Sequence, residues 1–577
     1  MEQGYLSHID YMIVGIYLLI SVGVGVSFAR RSAGDTKSYF IGGSSMPWWL
    51  VGISLLASAF SADTPLWIGD IIYKRGIEGA WLYWANGIGA AFFILLIAPL
   101  WKRSGLITEP ELFEFRFAGK AAAFLRIFNG LYMSVFVTII FMAVGTLSIA
   151  KILQMTAGMD KTVSVLITVV ISLAYCTVAG LWGICATDFM QFFVTMTGAF
   201  LLAFFSLKAA GGSTHVVQQI SAMTDWPGHQ LNIFPRLATG GLPFMTVAFL
   251  FCLKWFEYTG LGGMVAQRLF ASKSVKQSVF TAMIGYGMYF SLIPLPWIIT
   301  IICSKVHMPG ITDGQEAYPR MLMTVLPAGI KGIVVSSMLA AFMSCYSTLL
   351  NTGSSFFMND FYRRIVVKNA SEKHYVRISQ LYMIPMAIIS AAIALYSDSI
   401  LNLLFIPLAA SAGNTLILLT RWVWWRVNSW TMVAATVGSP IVFASVYLLF
   451  PAWVSPETME LYYGHRMIFI ILCTTVLCIL VTLLTQPVQD NVLDRFYQKV
   501  RPPGFWKPVR KRLGLQSDYT IKGFLTGWAM LLVAIFAPLV GFIKLVFGNP
   551  MAGIVLIGLG VLGFVFAIKK AHRDYSD

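Results

Sequence analysis

Apolar stretches of about 20 residues recur along the whole chain, separated by short polar and basic segments. Each is long enough to cross a hydrocarbon core of roughly 30 Å. The pattern predicts about fifteen spans, at roughly 10–29, 47–72, 80–101, 124–153, 162–180, 188–209, 241–260, 278–303, 326–358, 376–397, 401–421, 430–450, 466–486, 522–546 and 550–568. The two longest tilt or carry helix beyond the bilayer. The expected fold class is an all-α integral membrane protein.

Two of these runs are broken. Between Pro47–Trp48–Trp49 and Tyr73 the sequence turns polar at Ser58–Ala59–Phe60–Ser61–Ala62–Asp63–Thr64–Pro65. Small polar residues, an acid and a proline invite the helix to open. Freed carbonyls at membrane depth are tolerated only where protein or a water-filled cavity surrounds them, and they make good cation ligands. A second break falls at Thr259–Gly260–Leu261–Gly262–Gly263. Paired interruptions of this kind point to a binding site near the bilayer midplane. The ninth span adds Ser344, Ser347, Thr348 and Asn351 at helical spacing, one polar stripe on an apolar helix. Such a stripe offers oxygen ligands to a hard cation. It equally suits serines that let helices approach and hydrogen-bond their own backbone.

Composition agrees with the pattern: 58% of residues are hydrophobic and only 11% charged, which leaves no room for a sizeable soluble domain. The formal net charge of +16 follows from the loops. With the N-terminus outside, Arg30–Lys37, Lys102–Arg126, Arg268–Lys276, Arg363–Arg377, Arg421–Arg426, Arg495–Lys522 and Lys569–Arg573 face the cytoplasm and hold about 29 of the 41 basic residues. Basic inner loops against anionic lipid account for this charge without nucleic acid. The run from Arg501 to Arg512 reads as solvated and lipid-facing, with partner docking as the alternative. The first apolar run ends in Arg30–Arg31 without a small-residue cleavage pattern and reads as a retained span. Seven cysteines lack metal-ligand spacing, and the seven histidines fall in loops or tails. Neither a disulfide framework, a transition-metal site nor a histidine proton relay is expected. With no Walker-type loop or catalytic constellation, ATP-driven pumping and enzymatic chemistry are not expected.

Several segments resemble the sodium/solute symporter family, which includes sodium–glucose, proline and sialic acid transporters. They are Tyr39–Phe40–Ile41–Gly42–Gly43 before Pro47–Trp48–Trp49, and Ser54–Leu55–Leu56–Ala57 running to Ser61–Ala62–Asp63. Further on come Ala179–Gly180–Leu181–Trp182–Gly183 with Thr187–Asp188 and Gln191, then Gln267–Arg268. Last is Ala340–Ala341–Phe342–Met343–Ser344 with Leu350–Asn351, Asp360 and Tyr362. Their order and spacing, over roughly 10–430, carry the likeness. The resemblance implies a five-plus-five inverted-repeat core at 47–209 and 241–421, joined by an outer loop at 210–240. An extra N-terminal span and inner loop fill 1–46. About four extra C-terminal spans fill 422–577, with a basic cytoplasmic loop at 487–522 and a cytoplasmic C-terminus.

The resemblance also implies ligands. Carbonyls of Ala57, Phe60 and Ala341 with the hydroxyl of Ser344 would form a first sodium site. At the next ligand position the family usually has a second hydroxyl, and this chain has Cys345, a soft and poor ligand for a hard cation. Asp188, read as opening the sixth span after a short uncharged loop, would form a second sodium site with Ser344, Ser347 and Thr348. Its alternative role is an interfacial helix cap. Asp63 either draws sodium inward or locks the opened helix by accepting backbone N–H bonds. Solute contacts implied by position are Asp63, Thr64, Tyr83, Asn86, Trp255, Glu257 and Gly262. The sugar-type Asn–Gln–Tyr run is replaced by Gly262–Gly263–Met264, which argues against glucose or galactose. Lys254 and Glu257 either pair with each other or orient a polar solute. Trp67, Trp81, Trp84 and Trp255 offer stacking surfaces, or serve as interfacial anchors.

The expected activity is sodium-coupled import of a small polar solute, a sugar or sugar derivative first, by alternating access. The expected partners are sodium, the solute and lipid, with no cofactor; the carrier would act as a monomer in the plasma (inner) membrane. The alternatives are an amino acid or carboxylate symporter, a proton-coupled variant, an uncoupled channel or exchanger, and a non-transporting solute sensor. The short tail from Lys569 to Asp577 holds no output module, which counts against the sensor.

Overall fold

Proline and glycine set the limits of the first broken helix. Pro47 precedes the helix Trp48–Ser58, which ends at Ala59. A second helix, Thr64–Arg75, starts with Pro65 in its first turn, where the missing N–H costs nothing, and stops at Gly76 in a left-handed conformation (φ 75°). Between them Ser61 N–H donates to Thr64 Oγ1 at 3.1 Å, which steadies the open stretch. The expected break is therefore present. The computed structural model describes residues 5–28, 34–227, 231–236, 242–260, 262–455 and 458–575. Arg30–Arg31, Leu261, His229 and part of the 210–240 loop lie outside them.

Among the described residues, eleven helices are long and apolar enough to cross a bilayer, or twelve if Phe244–Thr259 and Gly263–Ala271 form one span bent by 48°. The shorter apolar helices Trp48–Ser58 and Lys161–Thr177 fall where two more spans are expected. Most expected runs overlap an observed helix, but the run at 401–421 is split into Ile400–Ser411 and Thr415–Val423 and is not among the candidate spans. One difference is local. Residues 181–187 are not a loop, because Lys161–Thr177 and Ala179–Ala209 join directly at Gly180. Its φ of 53° and ψ of −172° lie in a region essentially reserved for glycine.

Contacts sort the loops into two ends. At one end Leu6 N–H donates to Thr156 O (3.2 Å), Lys161 Nζ to Leu395 O (2.8 Å), and Trp226 Nε1 to Tyr73 O (2.9 Å). Asp10 accepts from Gly329 N (2.8 Å) and Gly332 N (2.7 Å), tying the first helix to the start of Ile330–Phe356. At the other end Arg363 pairs with Glu372, which also accepts from Thr36. Arg126 meets Glu111, Glu114 and Asp360 there. That second end gathers the basic segments. The outer helices turn apolar residues such as Leu166, Val170, Leu480, Val555 and Leu562 outward, as a lipid-facing surface requires.

In segment 487–522 the basic side chains of Arg501, Lys507, Lys511 and Arg512 are exposed, and an apolar face is buried. Its helices Asp490–Val500 and Lys507–Leu513 bury Leu493, Phe496, Tyr497, Val500, Trp506 and Val509 against the bundle. Arg116 is fully buried beneath them and lies over the rings of Trp506 (4.6 Å) and Phe496 (5.1 Å). It donates to the carbonyls of Arg421, Trp424 and Trp425. The spacing of apolar residues at 493, 496, 497 and 500 gives an amphipathic helix, so only the basic face stays exposed.

Candidate ion and solute site

The first break and the hydroxyl row meet. Ser58, the last residue of its helix, shares a 2.8 Å hydrogen bond with Thr348 on Ile330–Phe356. Ala57, Phe60, Ala341 and Ser344 are buried in the same region, and Phe60 packs edge-on to Trp297 at 5.7 Å. Ser61 Oγ is buried in the break without a hydrogen-bond partner. Cys345 is half-buried beside Ser344. The hydroxyls of Ser58, Ser344 and Thr348 thus border one small polar region inside an apolar bundle, while in the break Ser61 O accepts from Thr64 N and Asp63 O from Leu66 N and Trp67 N.

Asp188 is the charged centre of that region. It sits inside Ala179–Ala209, eight residues past Gly180, and is fully buried, so it neither opens the span nor caps it at an interface. Its Oδ1 accepts from Ser344 Oγ at 2.7 Å. Its Oδ2 accepts from Ser54 Oγ at 2.5 Å and from Ser58 Oγ at 3.3 Å. The guanidinium of Arg268 stands 3.6 Å away. An unpaired carboxylate this deep would cost several kcal/mol, and here hydroxyls and a cation satisfy it. Of the expected second-site residues, Ser344 touches Asp188 directly, while Thr348 joins the cluster through Ser58 and Arg268. Ser347 turns away and donates to Ser344 O at 3.1 Å.

Ser54, Ser58 and Arg268 complete the cluster around Asp188, and residue-by-residue reading did not assign them to a site. The signal available was position: serines one turn apart before the first break, and an arginine just past the second. Asp63 is half-buried and its side chain makes no capping bond to the helix it precedes, while Thr64 Oγ1 accepts from Ser61 N.

The expected solute residues divide into two groups. Tyr83 and Asn86 lie beside the first break: Tyr83 donates to Tyr289 O (3.0 Å) and packs against Trp67, Tyr289 and Phe290. Asn86 is buried with its Oδ1 unpartnered. Trp255 and Glu257 belong to the second broken helix, where the Trp255 carbonyl abuts Gly89, three residues past Asn86. Trp255 faces Phe92 and Trp528 and lines an apolar recess of about 470 Å³. Glu257 pairs with Lys254 at 2.6 Å, the structural alternative of the two. Gly262 has another neighbour altogether. A Cβ there would lie 2.0 Å from the Glu109 carboxylate. That carboxylate accepts from Gly263 N (2.6 Å) and from Arg421 (2.9 Å).

A helical bundle organised around two broken helices, with a caged carboxylate and a hydroxyl row at the first, defines a membrane carrier. The chain belongs to the sodium:solute symporter family, whose model matches residues 39–438. It is therefore a sodium-coupled transporter, not an enzyme. It is 29% identical over 418 residues to a sodium/glucose cotransporter of Vibrio parahaemolyticus, covering 68% of this chain and 76% of that protein. It is 23% identical over 547 residues to sodium/glucose cotransporter 1 of Oryctolagus cuniculus, covering 85% of this chain and 81% of the relative. In fold it matches the outward-open, substrate-bound structure of a sodium-coupled sialic acid symporter, with a TM-score of 0.70 at 21% identity, covering 84% of this chain and 99% of that one.

Proposed function

We propose that this carrier uses inward sodium movement to import a sugar or sugar derivative by alternating access. The observation that carries the reading is the contact of the first break with the hydroxyl row through Ser58 and Thr348. A sodium ion would sit between carbonyls of Ala57, Phe60 and Ala341 and the hydroxyl of Ser344, with Cys345 adding little as a soft ligand. Bound there, it holds the two parts of the broken helix in register and favours the state in which the solute pocket is complete. Coupling then follows from the ion's differential affinity for the two states. The solute side is Thr64, Tyr83 and Asn86, with Trp67 as a stacking surface. The sugar class is supported by the names of the curated relatives. The glycine pair at the second break, in place of an amide and a tyrosine, favours a solute other than glucose or galactose.

The surrounding architecture is fifteen spans, the N-terminus outside, and inverted halves at 47–209 and 241–421. The basic end is the cytoplasmic one, by the excess of Lys and Arg there. The carrier works as a monomer in the plasma membrane. A thermal-shift screen of the purified chain against sugars, amino acids and carboxylates, in sodium or in potassium, tests the reading. A sodium-dependent shift for a sugar class supports it. A shift equal in potassium, or one confined to amino acids, counts against it.

A further inference from the structure

We infer that segment 487–522 is a dock for anionic lipid headgroups, and that this docking braces the second broken helix through Arg116. The position of the segment names the occupant. It runs between Tyr463–Leu484 and Ile521–Phe547, two helices that turn apolar side chains outward. Leu484 and Ile521, where those helices end and begin, are both exposed, and so is Trp430 at the start of the neighbouring helix Ser429–Leu449. An outward apolar surface that stops at an exposed tryptophan marks the level of the headgroups. A segment tethered there by both ends stays at that level.

Its charge fits lipid phosphate. The three acids of the segment are already taken: Asp490 and Asp494 pair with Arg512, and Asp518 with Arg501. Lys507 and Lys511 stand four residues apart on the exposed side of Lys507–Leu513 and have no ion-pair partner among the described residues. Phe505, next to them, is exposed as well.

The buried side of the segment is the brace. Phe496 and Trp506 cover the guanidinium of Arg116, which pairs with no carboxylate among the described residues and whose Nη1 has no hydrogen-bond partner. A buried guanidinium without a counter-ion is costly to keep dry. Its enclosure therefore has two arrangements, one covered and dry, the other lifted and wet. Headgroups held by Lys507 and Lys511 favour the covered one.

What the cover secures is the end of Thr415–Val423. Arg116 donates to Arg421 O (3.2 Å), Trp424 O (3.2 Å) and Trp425 O (3.1 Å). Trp506 Nε1 donates to Trp422 O at 2.8 Å, and Phe505 N to Val423 O at 2.7 Å. Gly504 permits that approach, since a Cβ there would lie 2.6 Å from Val423 O. The same helix carries Arg421, whose side chain reaches Gly260 O and the Glu109 carboxylate that accepts from Gly263 N. One helix end thus joins the dock to the second break.

The test is amide hydrogen exchange of the purified full-length chain in nanodiscs of phosphatidylcholine alone, or of an equal mixture with phosphatidylglycerol of the same acyl chains. The anionic mixture should slow exchange roughly fivefold or more in 507–513 and in 415–425, the effect of a single lysine at such a surface. Lys507→Gln combined with Lys511→Gln should remove the difference in both stretches. Trp506→Ala should keep it in 507–513 and lose it in 415–425. Equal exchange at 507–513 in the two lipids overturns the dock, and so does slowing that survives in the double lysine variant. Slowing at 507–513 with none at 415–425 in the wild type overturns the brace. Inorganic phosphate that reproduces the slowing in neutral nanodiscs overturns the lipid assignment. The wild-type comparison needs no variant, so it decides alone if Trp506→Ala fails to fold.

Discussion

The two broken helices are interrupted in comparable places yet finished in opposite ways. At the first, the chain opens through Ala59–Asp63 and looks onto hydroxyls and one caged carboxylate. At the second, glycines leave only backbone, and a carboxylate from a distant loop fills the gap. Glu109 accepts from Gly263 N–H and pairs with Arg421, which itself donates to Gly260 O at 3.3 Å. The first break is thus lined by hydroxyls around a carboxylate that faces Arg268, and the second is clamped by the Glu109–Arg421 pair. The difference teaches that an interruption in a span marks where the backbone is free, while its neighbours decide what the freedom serves.

The depth of burial offers the sharpest way to break this comparison. Asp188→Asn leaves the fully buried Arg268 without its countercharge and should cost about 3–5 kcal/mol, read as a large fall in the thermal unfolding midpoint. Glu109→Gln keeps one acceptor for Gly263 N–H beside a partly exposed side chain and should cost less, about 1–3 kcal/mol. A reversal of that order would mean the second break, and not the first, bears the strained charge.

The ion site gives two smaller effects. Ser344→Ala should raise the sodium concentration for half-maximal response by roughly tenfold, equal to about 1.4 kcal/mol, and should lower the unfolding midpoint without sodium by about 1–3 kcal/mol because buried Asp188 Oδ1 loses its donor. An unchanged sodium titration would remove Ser344 from the site. Cys345→Ser replaces a soft sulfur with a hydroxyl and should tighten sodium by roughly two- to fivefold, under 1.4 kcal/mol. Weaker binding in that variant would show that Cys345 serves packing alone.

Much of this was legible in the sequence, because both breaks and the hydroxyl stripe are local patterns. Pro47, Pro65 and the run Ser58–Thr64 announce an opened helix on backbone grounds alone. Ser344, Ser347 and Thr348 share a face by helical spacing. Asp188 was harder. Periodicity sees a gap in hydropathy at 181–187, whereas the chain continues as helix because Gly180 absorbs the turn in one residue. The Arg268–Asp188 contact joins positions 80 residues apart, and Glu109 reaches Gly263 across 154. Neither distance leaves a periodic trace. Lys254 and Glu257, by contrast, sit three apart on one helix, and their pairing follows from spacing. In segment 487–522 the charge is conspicuous and the apolar face is not; that face is buried on Arg116 and the bundle.

The most direct measurement is a high-resolution electron cryomicroscopy map of the full chain in sodium, beside one in potassium alone. The account predicts an added density bounded by the carbonyls of Ala57, Phe60 and Ala341 and the Ser344 hydroxyl, present in sodium and gone in potassium. The same density in both maps, or none at that point in sodium, would contradict it.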